Sequence, residues 1–78
     1  MKDLLTLQQD VLAHARDHGA ACLGLEEFEE DRRRRNLTPN RARASRWIDL
    51  VECKNETHDR LIAAAVTYAK ALDFFERP

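Results

Sequence analysis

Apolar residues return along this chain with a helical rhythm. Leu4, Leu5, Val11, Leu12 and Ala15 fall on one stripe with Leu7 at its edge, while Gln9, Asp10, Arg16 and Asp17 fall on the other face. Asp3 supplies a carboxylate where a helix start needs a cap, and Gly19 supplies a stop, so the pattern predicts a first helix over about 3–18. The segment from Ala20 to Leu25 is apolar but contains Gly24, and reads as a buried connector or as the start of the next helix. A second helix follows over about 25–35, with a narrow apolar seam of Leu25 and Phe28 that leaves most of its surface in water.

Asn36 and Leu37 then break the pattern, and Thr38-Pro39 restarts it, with Thr38 as cap and Pro39 at the first helical position. No further Gly or Pro occurs before Pro78, so one helix over about 39–76 is expected, spanning roughly 50 Å. Its seam reads Ala44, Trp47, Ile48, Val51, then Leu61, Ile62, Ala65, Tyr68, Ala69, Leu72 and Phe75. Lys54, Asn55 and His58 interrupt it, and Asn55 or Thr57 has the chemistry of a cap, so a break near 55 is the rival assignment. The expected fold is a single all-α domain over residues 1–78, with two shorter helices and one long C-terminal helix, kinked in the rival assignment, associating through helix packing. The Leu4 to Ala15 stripe cannot cover both halves of the long seam. A homodimer is therefore expected, with Leu61, Ala65, Tyr68, Leu72 and Phe75 at its interface.

Composition narrows the class. Hydrophobic residues make up 44% of the 78 positions and charged residues 35%, too apolar for a disordered chain and too charged for a membrane protein. No apolar run approaches the roughly 18 residues of a membrane span, and Met1-Lys2-Asp3 lacks the layout of a signal peptide, so a cytoplasmic protein is expected. Cys22 and Cys53 form no disulfide framework and read as small apolar fillers. The formal net charge of -1 disfavours a globally basic nucleic-acid binder.

That balance hides a segregation. Five acids (Glu26, Glu27, Glu29, Glu30, Asp31) precede seven arginines (Arg32 to Arg35, Arg41, Arg43, Arg46). Helix physics accounts for the first part, because acids at the start and cations at the end complement the macrodipole. The pairs Glu29 to Arg33, Glu30 to Arg34 and Asp31 to Arg35 have the favourable spacing of four, worth roughly 0.2 to 0.5 kcal/mol each. The later arginines lie in the first turns of the last helix, where cations oppose the dipole. Arg43 is placed to lay its guanidinium over Trp47, and Arg41, Arg43, Arg46 and Trp47, with Arg32 to Arg35 and chiefly Arg34 and Arg35, are the expected partner-binding surface. The equal alternative is that Trp47 is core and these arginines pair with Glu26 to Asp31 across the Asn36 break. Such a surface suits the carboxylates or phosphates of a protein partner, and the same arginines leave nucleic-acid binding open. The natural job is that of a small regulator or inhibitor, of the kind phage and mobile-element accessory proteins perform on a host machine.

Two further constellations bear on chemistry. Glu27 and Glu30, then Glu56 and Asp59, give E-x-x-E followed by E-x-x-D, and two facing helices could gather these four carboxylates around Mg²⁺. The arrangement resembles the all-α nucleotide pyrophosphohydrolases of the MazG type. The stretches Leu7-Gln8-Gln9-Asp10-Val11-Leu12 and Ala15-Arg16-Asp17-His18-Gly19 are loosely similar to that family's first helix, and Leu61-Ile62 to its apolar run. The resemblance implies Mg²⁺-dependent nucleotide hydrolysis as the alternative activity. Against it, Arg60 adds a cation beside the second motif, and the chain after Asp59 holds only about one helix. His14 and His18, four apart, could be joined by Cys53 and His58 as zinc ligands, but no C-x-x-C accompanies them. No nucleophile elbow is present. A non-enzymatic interaction protein is the leading expectation.

Overall fold

The computed structural model describes residues 2–38 and 40–76. Among them are two helices, α1 (Leu4–Arg34) and α2 (Arg41–Glu76), and no strand. The two pack against each other. His18 meets Thr57 and Glu29 meets Trp47, so residue numbers fall on one helix as they rise on the other: the chain is an antiparallel hairpin, about 61 Å long and 19 by 15 Å across.

The all-α expectation holds, but the helix count is corrected from three to two. The expected helices over 3–18 and 25–35 are one 31-residue helix that runs through Gly19 and Gly24. Neither glycine takes a positive φ, so each remains in ordinary helical backbone. A glycine costs a helix about 1 kcal/mol relative to alanine, less than is gained by keeping Ala21, Leu25 and Phe28 in register against α2. The break considered near 55 is also absent, since α2 is a continuous 36-residue helix. Thr57 does not cap there. It turns inward, and its hydroxyl lies 2.9 and 3.0 Å from the carbonyls of Cys53 and Lys54 in the preceding turn.

The ends follow local chemistry. Asp3 caps α1 as expected, its Oδ1 accepting from the Thr6 amide at 2.8 Å. Asn36, at φ 49°, closes the other end in the left-handed conformation that asparagine tolerates. The Leu37 amide then reaches the Arg32 carbonyl at 3.1 Å and the Asn36 amide the Arg33 carbonyl at 3.2 Å, the pair of bonds of a Schellman stop. The cap of α2 is Asn40 rather than Thr38: its Oδ1 accepts from the Arg43 amide at 2.9 Å. Pro39, expected at the first helical position, lies outside the described residues.

The seam between the helices is a row spaced alternately by three and four, the repeat of antiparallel helix packing. On α1 the row is Leu4, Leu7, Val11, His14, His18, Ala21, Leu25 and Phe28, every member at least half-buried. On α2 it is Leu50, Thr57, Leu61, Ala64, Tyr68 and Ala71. Much of the expected seam is elsewhere. Leu5 and Leu12 are each 62% exposed, and Ile48 and Ile62 about half exposed. Leu25 is the one buried hydrophobic side chain among the described residues, and none is fully enclosed.

Candidate functional site: the loop end of the hairpin

The C-terminus of α1 and the N-terminus of α2 meet at the Asn36 turn, so the seven arginines from Arg32 to Arg46 gather at one end of the rod. Arg34 and Arg35 keep the pairing their spacing predicts, with Glu30 at 2.8 Å and Asp31 at 3.4 Å. These exposed pairs contribute a few tenths of a kcal/mol each. Glu29 departs from the expected pattern. Instead of bridging to Arg33, its Oε1 accepts from the indole Nε1–H of Trp47 at 3.2 Å, tying α1 to α2.

Arg43 also leaves its expected place over the indole. Its guanidinium reaches back and donates to the Thr38 carbonyl, fastening the loop to the first turn of α2. Arg43 and Trp47 nevertheless share a cleft of about 370 Å³, lined with Phe28, Glu29, Arg32 and Ala44. Trp47 is 44% exposed there. Arg41 and Arg46 are exposed on the first turns of α2. Of the expected partner-binding residues, the hairpin thus brings Arg43 and Trp47 into one cleft, engages Arg34 and Arg35 with acids, and leaves Arg41 and Arg46 in solvent at the same end. Arg32 was expected beside Arg43 and Trp47 from the sequence, whereas Phe28 and Glu29 were not expected in the cleft. Their signal was present in the row that places Phe28 three after Leu25, but only the pairing of α2 turns that row toward Trp47.

The expected dimer residues divide. Leu61 and Tyr68 are half-buried on the seam row facing α1. Ala65 and Leu72 are half-buried at its edge, and Phe75 is 54% exposed with its ring edge-on to Phe74 at 5.5 Å. The carboxylates do not gather within the chain. In this register Glu27 lies level with residues near 48, whereas Glu56 and Asp59 lie level with residues near 17, and all four are exposed on outward positions. Among the described residues no group of three or more His, Cys, Asp or Glu is placed to hold a metal ion.

A polar layer sits at mid-hairpin. The Thr57 hydroxyl has one proton, directed to the Cys53 and Lys54 carbonyls, so toward His18 Nδ1 at 3.1 Å it accepts. This network assigns the Nδ1–H tautomer to His18, with its Nε2 accepting from the Cys22 thiol at 3.5 Å. The His58 ring stands edge-on to His18 at 5.4 Å, while Cys53, also weighed as a zinc ligand, lines the opposite lateral face with Asp17 and Arg60. At the α1 N-terminus, the Thr6 backbone amide, and then its hydroxyl, hold the Asp3 carboxyl below the usual carboxylate range.

Comparison with known protein families, with curated proteins and with solved structures finds no match to this chain. No helix among the described residues is long and apolar enough to cross a membrane.

Proposed function

We propose that this chain is a non-enzymatic interaction protein, a small regulator or inhibitor, that takes an acidic or phosphate-bearing segment of a protein partner at the loop end of its hairpin. The observation that carries this reading is the cleft of Phe28, Arg32, Arg43 and Trp47, in which the one acid, Glu29, is engaged by the indole and Arg43 shares its guanidinium with the Thr38 carbonyl, at the end where Arg41 and Arg46 add further positive charge. Arginine and tryptophan are the side chains that most often dominate interface energy, and the guanidinium fork matches carboxylate and phosphate oxygens. Arg41, Arg43 and Arg46 oppose the dipole at the start of α2, so helix stability does not account for them. The protein works as a homodimer in a cytoplasmic setting.

Affinity capture from the source cell, followed by mass spectrometry, compares the wild-type chain with an Arg43→Glu, Trp47→Ala double variant. The variant is expected to keep its helicity and lose the partner. Retained capture would refute the reading. Binding that collapses steeply as salt rises, with nucleic acid in the eluate, would assign the arginines to phosphate backbone instead.

A further inference from the structure

The two lateral faces of the hairpin differ in chemistry. One carries Asp10, Asp17 and Arg60 beside the seam. On the other, where the His18 and His58 rings meet, Leu5 and Leu12 of α1 run beside Ile48, Ile62, Ala65 and Leu72 of α2. Followed at spacings of three and four, these rows contain no Asp, Glu, Lys or Arg from Leu5 to Cys22 on α1, or from Ala44 to Leu72 on α2. The face runs over 5–22 on α1, beyond which Glu26 and Glu29 continue its rows, and over 44–72 on α2; Leu5, Leu12, Ile48 and Ile62 on it are about half exposed or more, while Val51 and Leu72 are half-buried. On both helices the apolar arc takes in the seam row and the row next to it. That is the width needed for two neighbouring helices, whereas the hairpin provides one.

We propose that a second copy of this chain packs on this face, so that two hairpins close a two-fold symmetric four-helix bundle. The surface area points to such an occupant. The chain exposes 6313 Å², about 1,400 Å² more than the roughly 4,900 Å² expected of a compact monomer of its mass. Elongation accounts for part of that excess, and a standard interface of about 800 Å² per partner fits within it. Core size argues the same way. A hairpin with one buried hydrophobic side chain is marginal alone, so the partner must be at hand whenever the chain folds, and a second copy always is. A copy also matches the face in length. An anionic lipid surface is a poor fit, because these rows lack the Lys and Arg that such binding uses.

Sedimentation equilibrium on the full chain, across the micromolar range, should give twice the 9.0 kDa chain mass, with a melting temperature that rises with chain concentration. Leu12→Glu and Ile62→Glu should each weaken association at least about tenfold, since a buried unpaired carboxylate is placed in the interface. Leu23→Glu, exposed and off this face, should leave the mass at the dimer. Arg43→Glu should do the same, which separates this inference from the loop-end reading. A single-chain mass throughout, with a concentration-independent melt, overturns the proposal. So does a dimer that both face variants leave intact, or a monomer whose face is covered only by neutral phosphatidylcholine vesicles or a different protein.

Discussion

Thr57 and His18 form a bonded pair whose two members should respond unequally to removal. In Thr57→Val the Nδ1–H of His18 loses its acceptor. Leaving a buried donor unpaired costs about 1–3 kcal/mol, and the lower end applies because His18 is only half-buried and can turn toward water. In His18→Leu the Thr57 hydroxyl keeps the Cys53 and Lys54 carbonyls, so no orphan remains, and the new side chain extends the row between Val11 and Leu25. That change is expected to be neutral or to stabilise by up to about 1 kcal/mol. The double variant, with both polar partners gone, should be at least as stable as the wild type. The difference between the single variants corresponds to a melting-temperature gap of roughly 4–8 °C per kcal/mol for a domain of this size. Urea denaturation followed by far-ultraviolet circular dichroism, at one fixed chain concentration, measures all four members of the cycle. If His18→Leu costs more than Thr57→Val, or if the cycle shows no coupling, the assignment of donor and acceptor is wrong.

Two further outcomes follow from the helix backbone. A Cβ added at Gly24 would lie 3.9 Å from Leu50 Cδ2, an ordinary contact, so Gly24→Ala should stabilise by about 1 kcal/mol, and a loss in the same denaturation assay would contradict a continuous α1. The depressed folded-state pKa of Asp3 means that its capping contribution is complete above its unfolded pKa and is lost as pH falls through the folded value. The first turn of α1 should therefore loosen below about pH 4, read from the backbone amide shifts of Thr6, and Asp3→Asn should remove that dependence. Thr6 shifts in the wild type that do not move with pH would count against the cap.

The sequence by itself determined what depends on residues within about one helical turn of each other. The Asp3 cap, the stop at Asn36, and the Glu30–Arg34 and Asp31–Arg35 pairs are local contacts, and they stand in the structure as the spacing places them. So does the all-helical class, which rests on periodicity. Arg43 and Trp47 were likewise legible as neighbours from their spacing of four, although not the Glu29 bond that holds the indole.

Tertiary structure decided the choices in which local terms nearly balance. Gly19 and Gly24 each weaken an isolated helix by about 1 kcal/mol, but the cross-helix register of Leu25 and Phe28 carries α1 through both. Thr57 had the chemistry of a cap, and a histidine 39 residues away made it a seam residue instead. Above all, each helix carries an apolar arc wider than one neighbour covers, so hydrophobicity alone could not say which edge the hairpin would bury. The pairing of α1 with α2 made that choice, putting Leu4, Val11 and Leu61 inside and leaving Leu5, Leu12 and Ile62 on the surface.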